Sequence, residues 1–314
     1  RKLKDRPLQI HALVNAMIPL TLSGEYVEAH EIRIRVERML QKGRYPELEA
    51  VFWKAWSELV LLGGRLDLET GAHLVGRLNE RIERLGLLYI QAPAMYSELA
   101  LHMYAGQTEK AEEIGQRLQD FADGTDNLYA KGMCYLLRGL HCYWLGQWDK
   151  AGERMETGLE IFRSPDMKSP FHDHVFSSGA ALIQFHLGNG QKAERLLLRS
   201  LQYFTRTSNQ LDRTEALLSL ALLNEKQGRR KEALEYLETG LGIAAARQFI
   251  SFVVMSPQDQ IRVCVLAMEA GTKPSADYAA HLLKTNLAEA AAAEGPWLQN
   301  HPHPGVRKTT EQVM

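Results

Sequence analysis

The sequence predicts an all-α protein: a right-handed superhelix, or α-solenoid, of about seven stacked helical hairpins. Three observations predict it. Gly24, Gly64, Gly106, Gly146, Gly188 and Gly228 follow one another at intervals of 40, 42, 40, 42 and 40 residues, and Gly271 comes 43 later. Alanine stands five positions after five of the first six, at Ala29, Ala111, Ala151, Ala193 and Ala233, and again at Ala276. Beyond those alanines, apolar residues return in steps of four and three, as in Ala151, Met155, Leu159 and Phe162, which places them on one stripe of a helix. A period of this length marks stacked units, each unable to bury its apolar face alone.

Within each unit the glycine ends the first helix, because it takes the left-handed backbone at little steric cost. The alanine is small because the two helices come close just past the turn. The first hairpin occupies residues 8–42, with Pro19 near the end of its first helix. Pro46 opens the second, since proline is tolerated in a first turn. The turn of that second unit, Gly63-Gly64-Arg65-Leu66-Asp67, departs from the pattern, with Glu69 in place of the alanine. Units three to six are the most regular. Polar links join them: Asp123–Asn127, Ser164–Pro170 and Thr207–Asn209. The one β-branched cluster, Phe249–Val254, precedes Pro257 and is read as a helix end or a link. The solenoid is assigned to residues 1–294. Three prolines between Gly295 and Gly305 mark 295–314 as a linker or the frayed edge of a following domain. The start on Arg1 suggests a piece excised from a longer protein.

The turn resembles the tetratricopeptide repeat, which carries glycine between its helices and alanine five residues on. Gly24-Glu25-Tyr26-Val27-Glu28-Ala29 and Gly146-Gln147-Trp148-Asp149-Lys150-Ala151 match well. The motif's small residue seven positions before the glycine is present as Gly139, Ala181 and Ala221, and absent at Ser57 and Leu99. The period exceeds the usual repeat of about 34 residues. A long-repeat form of this kind is similar to the helical sensor region of MalT-like, ATP-binding transcriptional regulators of the LuxR class. The stretch from Pro257 to Leu283 looks like the close of that region. The resemblance implies a sensor and interaction domain that binds an effector or partner, with ATPase and DNA-binding modules elsewhere in the chain. The alternative is a general repeat scaffold or a peptide-pheromone receptor.

Composition narrows the function. The formal net charge is −1, without the basic excess of a nucleic-acid-binding domain. Three cysteines, Cys134, Cys142 and Cys264, lack framework spacing and suit reduced thiols in the cytoplasm. There is no phosphate-binding loop, dinucleotide fingerprint or nucleophile elbow in the chain. His172-Asp173-His174 supplies at most half a zinc site. The expectation is therefore no enzyme, no metal and no cofactor, with a protein, peptide or small effector as partner.

Aligning the first helices on their glycines brings out a candidate ridge. The position four before the glycine holds His102, Cys142, Gln184 and Asn224, and eight before it stand Glu98 and Arg138. Equivalent positions in stacked helices form a ridge, read here as the floor of a concave groove. Tyr96, Tyr143 and Phe185 are candidate aromatic anchors on the same helices. Two other readings stand beside this one: Glu98 pairs with Arg138 while Gln184 and Asn224 bond locally, and the aromatic residues pack the hairpins.

Overall fold

A computed structural model describes residues 5–62, 68–105, 107–252, 254–285, 287–293 and 295–312. The described residues form helices and no strand. Paired in chain order, the helices make seven hairpins: α1 (Arg6–Ser23) with α2 (Tyr26–Leu40), α3 (Pro46–Leu62) with α4 (Leu68–Leu85), α5 (Leu88–Tyr104) with α6 (Thr108–Gly124), α7 (Leu128–Trp144) with α8 (Trp148–Arg163), α9 (Pro170–His186) with α10 (Gly190–Thr207), α11 (Gln210–Lys226) with α12 (Arg230–Arg247), and α13 (Pro257–Ala270) with α14 (Lys273–Thr285). Three short helices follow: α15 (Ala288–Ala293), α16 (Gly295–Gln299) and α17 (Pro304–Glu311).

The turns show why glycine recurs. Gly24, Gly146, Gly188 and Gly228 have φ of +78°, +72°, +83° and +75°. The N–H of the next residue then reaches back to a carbonyl five positions before it: Glu25 to Leu20, Gln147 to Cys142, Asn189 to Gln184 and Arg229 to Asn224, at 2.8–2.9 Å. This closes the helix end and satisfies a carbonyl that would otherwise lack a partner. Gly64 and Gly106 lie outside the described residues. Gly271 departs from the series: its φ is −73° and its backbone extended. Glycine is required there because an added Cβ would stand 2.5 Å from the Ala267 carbonyl oxygen.

The alanines seal the hairpins. Ala29, Ala111, Ala151, Ala193 and Ala233 are fully buried. On the facing helix, a Cβ at Gly139 would lie 3.1 Å from the Met155 backbone nitrogen and 3.3 Å from the Ala151 oxygen, so α7 and α8 touch backbone to backbone. The first two hairpins share a core with the first turns of α5, from Ile10 to Ala94. The main core runs from Ala92 to Val306.

First helices of successive hairpins pack side by side, and α1 comes round to meet α11. There the Arg247 side chain pairs with Glu25, and Tyr26 sets its ring edge-on to Phe249 at 6.1 Å. Within 295–314, expected as a linker or the frayed edge of a following domain, Leu298 and Val306 are buried in the main core, and residues 313–314 lie outside the described residues. Pro304 opens the first turn of α17, a place proline suits. No helix of the described residues is long and apolar enough to cross a membrane.

Candidate functional site: the concave face

The first helices of three neighbouring hairpins, α9, α11 and α13, line a pocket of about 450 Å³. α9 contributes Phe185 and His186, α11 Leu222, Glu225 and Lys226, and α13 Arg262, Val265, Leu266 and Glu269. Trp297 of α16 forms the remaining wall with 45 % of its surface exposed. The floor is apolar: Phe185, Leu222, Val265 and Leu266 are buried. The rim is charged. Glu225 is paired with Arg230, Glu269 stands 3.6 Å from His301, and Arg262 donates to Asp259 at 2.9 Å. The Lys226 ammonium sits 4.6 Å above the Phe185 ring, a cation–π contact that leaves its charge facing the pocket.

Behind the pocket, Asp259 knots three helices. It accepts from Tyr143 of α7, from Arg262, and shares a 2.9 Å contact with His186 of α9. Burial works to raise its pKa, and the hydrogen bond and charge of His186, with Tyr143 and Arg262, outweigh it, so the carboxyl is held below its usual value. The Tyr143 phenol is pushed well up by its own burial and then by Asp259. Asp259 is thus a structural anion, and its partners orient the pocket's inner wall.

The predicted ridge has a different destiny from an open floor. Cys142 and Asn224 are buried, and Asn224 donates to the Leu220 carbonyl at 2.7 Å. His102 meets Gln107 at 2.7 Å and Gln184 accepts from Asn189 at 2.9 Å, so both brace their own turns. All four residues are those whose carbonyls close the turn, which explains their common height. Glu98 and Arg138 do not meet each other. Glu98 takes Asn79 at 3.1 Å and Arg117 at 3.4 Å, while Arg138 grips Glu112 of α6 with both terminal nitrogens, at 2.6 and 3.1 Å. Each charge finds its partner on a second helix of a hairpin rather than across first helices. Tyr143 is fully buried. Tyr96 is half-buried with its hydroxyl sunk, and burial, then Tyr104, Glu215 and Asp212, raise its pKa. Of the nine predicted residues, Phe185 lines the pocket.

The structure also places the other candidates. His172 stacks on Phe162 at 4.6 Å and His174 on Tyr203 at 4.2 Å, while Asp173 bonds Arg163 and Arg199. These residues lie in the first turn of α9 and not in a loop. Among the described residues no cluster of side chains could hold a metal ion. Cys134 and Cys264 are buried, and burial pushes each thiol up to about 12, which makes them poor nucleophiles.

A family model described as Tetratricopeptide repeat matches residues 176–246. No curated protein matches the chain in sequence. Among solved structures, a Rap protein complexed with Competence and Sporulation Factor superposes with a TM-score of 0.62 at 12% identity, covering 98% of this chain and 96% of that one. A plasmid Rap conjugation gene regulator in complex with a Phr peptide gives 0.61 at 11% identity, over 97% and 94%. A signal transduction ATPase with numerous domains and a tetratricopeptide repeat sensor, from Pyrococcus horikoshii, gives 0.55 at 15% identity, over 98% of this chain and 50% of that one. At these identities the likeness is one of fold.

Two parts of the helical array's inner face escaped the sequence. Trp297 fell in a segment set aside as a linker. The link after α12 passed as a connector, although it reads Phe249-Ile250-Ser251-Phe252 where Asp123–Asn127 and Thr207–Asn209 are polar. That contrast was the available signal.

Proposed function

We propose that the chain is a non-catalytic binding scaffold whose concave face takes a peptide segment of a partner protein. The observation that carries this reading is the pocket between α9, α11, α13 and Trp297: an apolar floor, an exposed indole wall and the cationic Lys226 at its rim. Aromatic anchors beside apolar pockets supply most of the free energy in such interfaces. The two Rap structures of similar fold, one with Competence and Sporulation Factor and one with a Phr peptide, support the same choice of partner. Three buried free thiols suit a reducing compartment such as the cytoplasm.

A second reading keeps the scaffold and gives it a master. The likeness to the repeat sensor of a signal transduction ATPase favours a sensor region whose ligand controls a larger regulator, as in MalT-like transcriptional regulators.

Peptides selected from a displayed random library on the whole chain test the proposal. A selected peptide, dye-labelled and followed by fluorescence anisotropy, should bind Trp297→Ala and Phe185→Ala at least about tenfold more weakly, with helicity retained by circular dichroism. Equal affinity for the parent and both variants would remove the pocket from the account.

A further inference from the structure

The inner face is closed over hairpins three to six by the chain itself. Helix α12 stops at Gln248, a non-glycine residue in the left-handed region at φ +56°, and α13 starts at Pro257. Between them Phe249, Ile250, Ser251, Phe252, Val254, Met255 and Ser256 are all at most 3 % exposed. The other links between the seven hairpins are two to six residues long. This one leaves the stack and enters the lumen.

Side chains from several helices read its backbone there. Glu215 of α11 accepts the Val254 N–H at 3.2 Å, and Tyr143 of α7 accepts the Ser256 N–H at 3.2 Å. Gln260 donates to the Phe252 and Met255 carbonyls, both at 3.0 Å, and Tyr278 of α14 donates to the Phe249 carbonyl at 2.7 Å. Tyr104 of α5 meets the Ser251 hydroxyl at 2.7 Å. Val254 packs beside Gly179 of α9, where an added Cβ would stand 3.4 Å from its methyl and 2.7 Å from Leu140. A buried backbone outside regular structure must find its partners somewhere. Here fixed side chains of the scaffold supply them, and apolar walls take Phe252 and Val254. The contacts from Tyr104, Tyr143, Glu215 and Tyr278 come from elements remote in the chain, whereas Gln260 lies in the first turn of α13, which Ser256 caps.

We propose that the lumen of hairpins three to six is a binding groove for an extended peptide rich in aromatic and β-branched residues, and that residues 249–252 and 254–256 are its resident occupant, displaced when a partner segment of that chemistry binds. This deepens the scaffold reading and rests on it. The groove adjoins the open pocket through Asp259, which is bonded both by Tyr143, the acceptor of the segment's Ser256 N–H, and by His186 and Arg262, which line the pocket. A peptide seated at Trp297 would thus reach the segment's end at Ser256. A tethered occupant competes at an effective concentration of about millimolar. Apparent affinity for a free peptide falls by the fraction of molecules whose groove is empty.

The test replaces residues 249–256 by an eight-residue Gly-Ser segment in the full chain. The probe is the synthetic 249–256 peptide with an added lysine tail and a dye. The emptied chain should bind it at least about a hundredfold more tightly than the parent, and Glu215→Leu in the emptied chain should weaken binding about tenfold. A folded, helical replacement variant that leaves the peptide free would overturn the proposal. If the replacement does not fold, hydrogen exchange of the parent decides instead. Amides of Val254 and Ser256 should exchange through an opening that leaves α7 and α9 protected. Exchange of all of them together, only on global unfolding, would make the segment ordinary core and end the proposal. A library-selected peptide for the Trp297 pocket separates the two ideas, since its retained binding to the parent upholds the scaffold while the groove fails.

Discussion

At Gly188 the backbone turns through φ +83° with no atom within 4 Å of where a Cβ would stand. A side chain there would strain its own backbone and meet nothing else, so Gly188→Ala should cost about 1–2 kcal/mol. Gly242, exposed inside α12 with equally open surroundings, makes the comparison: Gly242→Ala should gain up to about 1 kcal/mol. Urea denaturation should shift the two midpoints in opposite directions, and a shift of the same sign would detach the glycine period from backbone conformation. His141 carries a second expectation. It is buried against Arg138, whose guanidinium donates to its Nδ1, and burial followed by the Arg138 charge lowers its pKa to about 4. Unfolded histidine titrates near 6.5. Between those values the unfolded chain binds a proton that the folded one refuses, so stability falls as pH drops from about 6.5 to 4. The loss should be roughly 2–3 kcal/mol from this residue. His141→Gln keeps an acceptor for Arg138 and should flatten that part of the melting-temperature profile, while an unaltered slope would place the acid sensitivity elsewhere, for instance at His172, which burial also lowers to about 4.

Helices and their pairing were legible because each hairpin repeats one local rule. The glycine ends a helix, the alanine permits close approach, and neither needs knowledge of distant residues. What lay beyond the sequence was where polar side chains point. Glu98 and Arg138 share a register, yet each turns to a second helix, Glu98 to Arg117 and Arg138 to Glu112. The link at 249–256 shows the same limit: its apolarity was plain, and its destination depended on α5, α7, α9 and α11 together. Its contact with α11 is testable. Glu215 is buried beside Asp212, and burial first, then the Asp212 charge, raises its pKa well above the usual value. A carboxyl raised on folding stabilises nothing in its ionised form, so stability drops as pH climbs above the ordinary carboxylate range near 4.3. In Glu215→Gln an amide oxygen still accepts the Val254 N–H and no charge is buried. The variant should exceed the parent at pH 8 by about 1 kcal/mol or more and match it near pH 4, read as urea midpoints. A constant difference at both pH values would deny Glu215 any buried titration.

A solenoid ordinarily holds together by neighbours alone, so its ends fray and its stability adds repeat by repeat. This chain adds a clasp. Glu25 and Arg247, 222 residues apart, pair where α1 meets α11, and Tyr26 packs on Phe249 beside them. The first two hairpins and the start of α5 have a core distinct from the main one, so the clasp is a second tie between that core and the rest. The exposed ion pair should contribute little, about 0–1 kcal/mol. The buried ring of Phe249 carries the larger share, since removing such a ring costs about 3–5 kcal/mol. Tryptophans report both regions: Trp53 and Trp56 in the first core, Trp144 and Trp148 in the main one. With variants retaining one pair each, urea unfolding of the parent should give coincident transitions. Phe249→Ala should split them, the Trp53 and Trp56 signal falling first, whereas Arg247→Ala should leave them together. Transitions already separate in the parent would mean that the two cores unfold independently and that the clasp transmits no cooperativity around the superhelix.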